Sequence, residues 1–361
     1  MSAQGPRRRR RRGVIIAGTA AAGLIVVGLP VTVLGLSGSF GSASSSPSAG
    51  SASAGGPSYD AYVALAAGNE VAQVSVRTDM ITATFGDDTG EGVAVTPDNA
   101  TIFTADTGQY SVLAVDVATK KSTPIEVGPY PQDVAVSPDG KLVYAAVTGG
   151  DTGPGGSDLV AVIDPSTNTV TGDIKVGAGP RRVVFSPDGA FAYVTTETGI
   201  DVIDTATASV TRVIPDPQGP QGIAVSLDGK TLYVTNPDAG TLWEIGAATG
   251  AVLANVPAGA EPYAVAASGS SLYVADMNSD SVSVLSAATG RVTGTIGVGR
   301  LPMSIAATPD GSQVWVGNGL SGSVSVISVA SGKVVATISG GPGTSTLDAA
   351  PLGISFAAVS S

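Results

Sequence analysis

The sequence predicts an all-β protein, a seven-bladed β-propeller of four-stranded antiparallel blades, closed by a C-terminal strand that completes the N-terminal blade. Three observations predict it. A unit of about 40 residues recurs, the length of one propeller blade. Each unit divides into four short strands. The two ends of the repeat region carry complementary fragments of a unit.

An apolar residue three places after a Pro sets the register. It falls at Val134, Val183, Ile223, Val265, Ile305 and Ile354, and Val93 fits the same frame with Gly90 in place of the Pro. The gaps are 41, 49, 40, 42, 40 and 49, so two copies carry local insertions. Strand A is the Val-Ala-Val-like run at the marker, as in Val134–Val136. A Pro-Asp-Gly turn follows, as in Pro138-Asp139-Gly140 and Pro187-Asp188-Gly189. Pro presets φ, Asp bonds its own backbone, and Gly accepts positive φ. Strand B is centred on Tyr144, Tyr193, Tyr233, Tyr273 and Trp315, whose blade spacing marks them as packing residues between blades. Strand C alternates, as in Leu159–Ile163 and Val324–Ile327. A Thr-Gly or Thr-Asn turn leads to strand D, as in Val292–Val298. No segment after residue 58 has a helical period.

Six complete units run from about Gly90 to Gly341. Before them Ala61–Ala66, Val71–Val76 and Ile81–Phe85 supply strands B, C and D without an A. After them Pro351–Val359 is an A strand without a partner. Joining the two gives the seventh blade and hides the sheet edges of an open row.

The strand-B motif carries a resemblance. Tyr233-Val-Thr-Asn236, with looser copies at Tyr193–Thr196, Tyr273–Asp276 and Trp315–Asn318, is similar to the repeat of the YVTN family of β-propellers, over roughly residues 60–360. That resemblance implies a bacterial exported or cell-surface propeller and does not by itself imply an activity.

The front of the chain has a different character. Residues 1–12 end in six consecutive Arg, Arg7–Arg12. Residues 13–36 are uncharged, and residues 37–58 are rich in Ser, Gly and Ala. Positive, apolar, then small and polar is the order of a secretory signal or of a membrane anchor with its N-terminus inside. The uncharged stretch exceeds the roughly 20 residues of a spanning helix, which favours the anchor. Either reading places residues 59–361 outside the cytoplasmic membrane, on a Gly/Ser-rich stalk whose r.m.s. span is about 25 Å.

Charge and missing residues exclude several classes. None of the 29 acidic residues precedes residue 59. Twelve basic residues serve the propeller, for a net charge of −17. Such a domain repels phosphate backbones, so no nucleic-acid partner is expected. The chain has no His and no Cys. That removes His-ligated metals, the Ser-His-Asp triad and thiol chemistry.

Antiparallel order puts the D–A and B–C loops on one face. The D–A loop, Gly-x-x-Pro, delivers Tyr130, Gln132, Arg181, Arg182, Gln221, Glu261, Tyr263, Arg300 and Met303 to the mouth of the central channel. The B–C loops add Asn236, Asp276 and Asn318 on the same face. Both insertions, Gly149–Asp158 and Gly341–Ala350, fall there too. A ring of Tyr, Gln, Arg and Glu suits a polar or anionic small molecule, a peptide or a cell-surface component. Loop positions are also polar simply because they face water. Asp276-Met-Asn278-Ser-Asp280 opens like a calcium loop, but Ser281 stands where Gly belongs and Ala287 where Glu belongs. It also reads as an ordinary B–C hairpin.

No cofactor, no metal and no catalytic residue is assigned, and a monomer is expected. The expected function is extracytoplasmic binding or scaffolding. The alternatives are a lactonase-like or quinoprotein-like enzyme using an oxygen-ligated metal, or a structural cell-wall protein.

Overall fold

The computed structural model describes residues 58–65, 70–85, 90–149, 158–216, 218–339 and 350–359. The expected leader, anchor and linker lie outside the described residues but for Ser58, and so do 150–157 and 341–349 of the two insertions. Among the described residues no helix is long and apolar enough to cross a membrane.

Seven four-stranded antiparallel sheets are present, each in the order A-B-C-D. The A strands are Pro351–Ala358 in blade 1, Val93–Val95 in blade 2, Pro131–Val136 in blade 3 and Val183–Phe185 in blade 4. Ile223–Val225, Pro262–Ser268 and Pro302–Ala307 supply those of blades 5 to 7. Blade 1 is assembled from both ends of the repeat region. Tyr59–Leu65 pairs with Pro351–Ala358, with Ala61 opposite Phe356 and Val63 opposite Ile354.

Hydrophobic packing explains why the blades form a ring. Each strand B places one large aromatic side chain into the core shared with the next blade. Tyr62 joins blade 1 to blade 2, and Phe103 joins blade 2 to blade 3. Tyr144, Tyr193, Tyr233 and Tyr273 do the same for the next four junctions. Trp315 closes the circle by packing blade 7 on blade 1, edge-on to Phe356 at 5.6 Å. The expected inter-blade role of the five spaced aromatics therefore holds, and Tyr62 and Phe103 complete the set.

Local turn chemistry matches the repeat. In every C–D hairpin one residue is left-handed: Asp79, Lys120, Asn168, Ala208, Gly250, Gly290 and Gly332. This closes a four-residue hairpin loop, with the N–H of the left-handed residue bonded to the carbonyl four places before it, as Asn168 is to Asp164 at 2.8 Å. In the Pro-Asp-Gly turns, the Asp carboxylate accepts from a Ser or Thr hydroxyl before the Pro and from a backbone N–H after the Gly. Asp139, for example, bonds the Ser137 hydroxyl at 2.7 Å and the Lys141 N–H at 3.1 Å.

Removing the aromatic that closes the ring is expected to be costly. Trp315→Ala should lower unfolding stability by about 3–5 kcal/mol. Trp315→Tyr, which installs the residue of five other blades, should recover most of the loss in the same urea titration. Equal stability of the Ala variant and wild type would remove this junction from the account of closure.

Candidate functional site

The face expected to carry the site is built by the loops that enter strand A. Their backbone is held from the preceding blade. Thr107, Thr148, Thr195 and Thr235, near the ends of B strands, donate to the carbonyls of Pro131, Pro180, Gln221 and Tyr263 at 2.9–3.1 Å. Ser304 does the same to Pro351 at 3.1 Å. The Thr of the Tyr-Val-Thr-Asn motif is thus a clamp on the next blade's loop.

These loops are strained where they meet the Pro. Gly179 and Gly219 are left-handed there, but so are Tyr130 (φ 49°), Glu261 (φ 56°) and Leu301 (φ 55°). A left-handed non-glycine residue costs about 1 kcal/mol or more, and a following Pro restricts it further. The strain aims these side chains. Tyr130 is exposed and meets Tyr110 edge-on at 5.4 Å. Glu261 bonds the Asn278 amide.

The side chain two places after the Pro position is small in five blades: Gly92, Gly222, Ala264, Ser304 and Gly353. In the other two it is Asp133 and Arg182, which approach to 3.7 Å. Space is tight there, since a side chain on Gly92 would collide with Asp133. Asp133 also accepts the Val183 N–H at 3.0 Å. Burial raises the Asp133 pKa against the pull of Arg182. Burial opposes the charge of Arg182 as well, but Asp133, Tyr263 and Glu91 outweigh it and hold the guanidinium firmly protonated. Arg182 of blade 4 lines the central channel beside Asp133 of blade 3, within electrostatic range of Tyr263 of blade 6 and Glu91 of blade 2.

The predicted residues divide into three groups. Arg182 and Met303 line the central channel, and Tyr263 is close enough to favour the charge of Arg182. Arg181 bonds the Gln221 side chain beside them. Tyr130, Gln132, Glu261 and Arg300 lie farther out on the loops, with Gln132 turned back onto the Tyr130 carbonyl at 3.2 Å and Arg300 exposed. Asn236, Asp276 and Asn318 are not on the surface. Each is at most 1% exposed, beneath a D–A loop. A side chain on Gly259 would collide with Asp276, and one on Gly299 with Asn318.

Asp133 and Glu91 were absent from the sequence-derived set. Aligning the seven copies column by column exposes Asp133, because its column is otherwise small except for Arg182. The calcium-like segment is drawn apart by its bonds. Asp276 turns inward to the Ser283 hydroxyl at 2.6 Å, Asn278 bonds Glu261, and Asp280 accepts the Leu301 N–H at 2.9 Å.

The seven A strands line a central cavity of about 610 Å³. Its wall is mostly Val, Ala and Ile, with Asp133 and Arg182 the charged residues among those described. Pro138, Pro187 and Leu227 of the A–B turns line the other end, and Leu227 is 76% exposed. The cavity therefore reaches the surface on the face opposite the polar loops.

Burial raises the Asp276 pKa from 3.8 to about 6, against the bond from Ser283. Above that value the folded and unfolded states are both ionised, and the buried charge costs stability. As pH falls from about 6 to about 4, the folded protein binds a proton that the unfolded chain does not, so stability rises. Asp276→Asn, the residue of the neighbouring copies, should therefore stabilise the protein at pH 7 by about 1–2 kcal/mol. The gain should vanish by pH 4 in denaturant titrations. A gain independent of pH would show that the carboxyl is not the cause.

The chain is similar to other solved structures. Kuenenia stuttgartiensis hydrazine synthase matches with a TM-score of 0.67 and 26% identity, over 73% of this chain and 91% of that one. A functionally unknown protein from Desulfotomaculum acetoxidans matches with a TM-score of 0.67 and 14% identity, over 82% and 98%. The second likeness is one of fold alone. No curated protein matches the chain. The family model described as "Lactonase, 7-bladed beta-propeller" matches residues 156–340, from the end of the blade 3 insertion to the end of blade 7. That is half of the chain, and the protein belongs to the seven-bladed β-propeller lactonase family.

Proposed function

We propose that this protein is an extracytoplasmic ligand-binding propeller of YVTN type, held at the membrane through residues 13–36, with its site on the D–A loop face. One observation carries the reading. At the position after the Pro, the sevenfold frame places side chains of six different kinds: Glu91, Gln132, Arg181, Gln221, Tyr263, Met303 and Leu352. The rest of the frame repeats, so this ring is where the copies have diverged. Three of the twelve basic residues of an acidic propeller, Arg181, Arg182 and Arg300, gather in these loops. A polar or anionic small molecule, or a peptide carboxylate, suits such a ring.

Titration calorimetry of the full-length chain with citrate and gluconate at low salt tests this. Wild type should bind, and an Arg181→Ala/Arg300→Ala double variant should bind at least tenfold more weakly. Equal binding by the two proteins, or none by wild type, would overturn the D–A site.

Family membership favours a second reading, lactone hydrolysis at the same mouth. Arg182 would hold the oxygen that gains charge, and Asp133 or Glu91 would serve as base. The described residues contain no group of three or more carboxylates placed to hold a metal. A pH-stat assay with glucono-δ-lactone is the check. A rate above spontaneous opening that is lost in Arg182→Met supports this reading, and the spontaneous rate alone excludes it for this substrate.

A further inference from the structure

We infer that the central channel is a second binding site, entered from the A–B face, for a medium-chain neutral carbonyl compound such as an alkyl ketone or alkyl ester. The inference goes beyond the D–A site, because it concerns the bore between the two faces, entered from the opposite face and shared with the D–A loops only at Arg182, and a different ligand chemistry.

The channel has the size and wall of a ligand site rather than of a packed core. Its volume, about 610 Å³, lies within the range that encloses a small organic molecule. The strand-A position four after the Pro is Ala in five blades, Ala94, Ala135, Ala224, Ala266 and Ala306, and these small side chains keep the bore open. An apolar chain is the occupant that such a wall favours. The A–B end is apolar at its rim as well. Pro97, Pro138, Pro187 and Pro309 open the turn in four blades, but in blade 5 that place is taken by Leu227, exposed at the cavity edge.

The far end chooses the head group. Arg182 lies there, with the Asp133 carboxylate at 3.7 Å. Its charge is already balanced by Asp133, and one ion pair does not use up the five N–H donors of a guanidinium. A carboxylate arriving there would meet Asp133 directly and Glu91 beyond it. A neutral carbonyl oxygen accepts from the remaining N–H groups without adding a third negative charge. The pair of an ion-balanced donor and an apolar bore thus selects a ketone or ester over a fatty acid.

Calorimetry of the full-length chain with 2-pentanone, 2-heptanone, 2-nonanone and nonanoate tests the inference. Saturable binding of one ketone per chain is expected, strengthening by about fourfold per added methylene. Nonanoate should bind at least tenfold more weakly than 2-nonanone. Arg182→Met should weaken ketone binding at least fivefold. The graded series Ala306→Val and Ala306→Leu should weaken it progressively while leaving the thermal transition in place and citrate binding unchanged. Absence of ketone binding, equal affinity for nonanoate, or indifference to both the Arg182 and the Ala306 variants would overturn the channel site. Loss of citrate binding in the Arg181/Arg300 variant with ketone binding intact would leave both sites standing. Failure of citrate to bind wild type would remove only the D–A site.

Discussion

Everything in this structure depends on an aromatic side chain that packs outside its own sheet. Each strand B sends Tyr, Phe or Trp into a cluster whose other half belongs to the next blade. A single four-stranded sheet has two faces and nothing of its own to cover them. In a row of blades the first and last would each keep a bare face. The ring removes that deficit without helices or disulfides, and the chain has no Cys with which to form one.

The same dependence gives each residue of Tyr233-Val-Thr-Asn236 a physical task. Tyr233 packs forward into blade 6, and Val234, on the other face of the strand, packs back onto blade 4. Thr235 holds the blade 6 loop by its Tyr263 carbonyl. Asn236 is buried at the strand end, as Asn318 is in blade 7, where its amide bonds Ser323 and Ser325. Fold, blade number, closure and the aromatic junctions were legible in the sequence, because periodicity and turn residues report directly on strands. The burial of Asn236, Asp276 and Asn318 was not. Polar residues at a strand end look the same whether the next loop folds over them or leaves them in water. The Asp133–Arg182 pair was half legible. Its two members lie 49 positions apart, and only their shared place in the frame brings them together.

Aspartate plays two opposite electrostatic parts in the repeat. In the Pro-Asp-Gly turns, hydrogen bonds hold its pKa down, to about 2 for Asp139 and below the ordinary value for Asp188 and Asp228. The stabilisation these ionised groups give is present above about pH 4 and is lost as pH falls through the lowered values. Beneath the D–A loops, burial raises the pKa of Asp201, Asp216 and Asp276 instead. The turn face therefore prefers neutral pH, and the loop face prefers mild acid. A protein of such high negative charge thus carries its acid-tolerant carboxyls on the face with the polar ring.

The pairing of Tyr59–Leu65 with Pro351–Ala358 also governs when the fold can exist. The two strands are separated by all the other blades, so the contact has the longest loop to close of any in the molecule. Six blades can form as the chain emerges, but blade 1 waits, with one edge and the Trp315 junction open, until the strand after blade 7 arrives. A chain threaded through a membrane from its N-terminus would deliver that strand last. The unfinished ring would then be the species exposed to proteases and chaperones, and its lifetime rather than the finished protein's stability would set the yield.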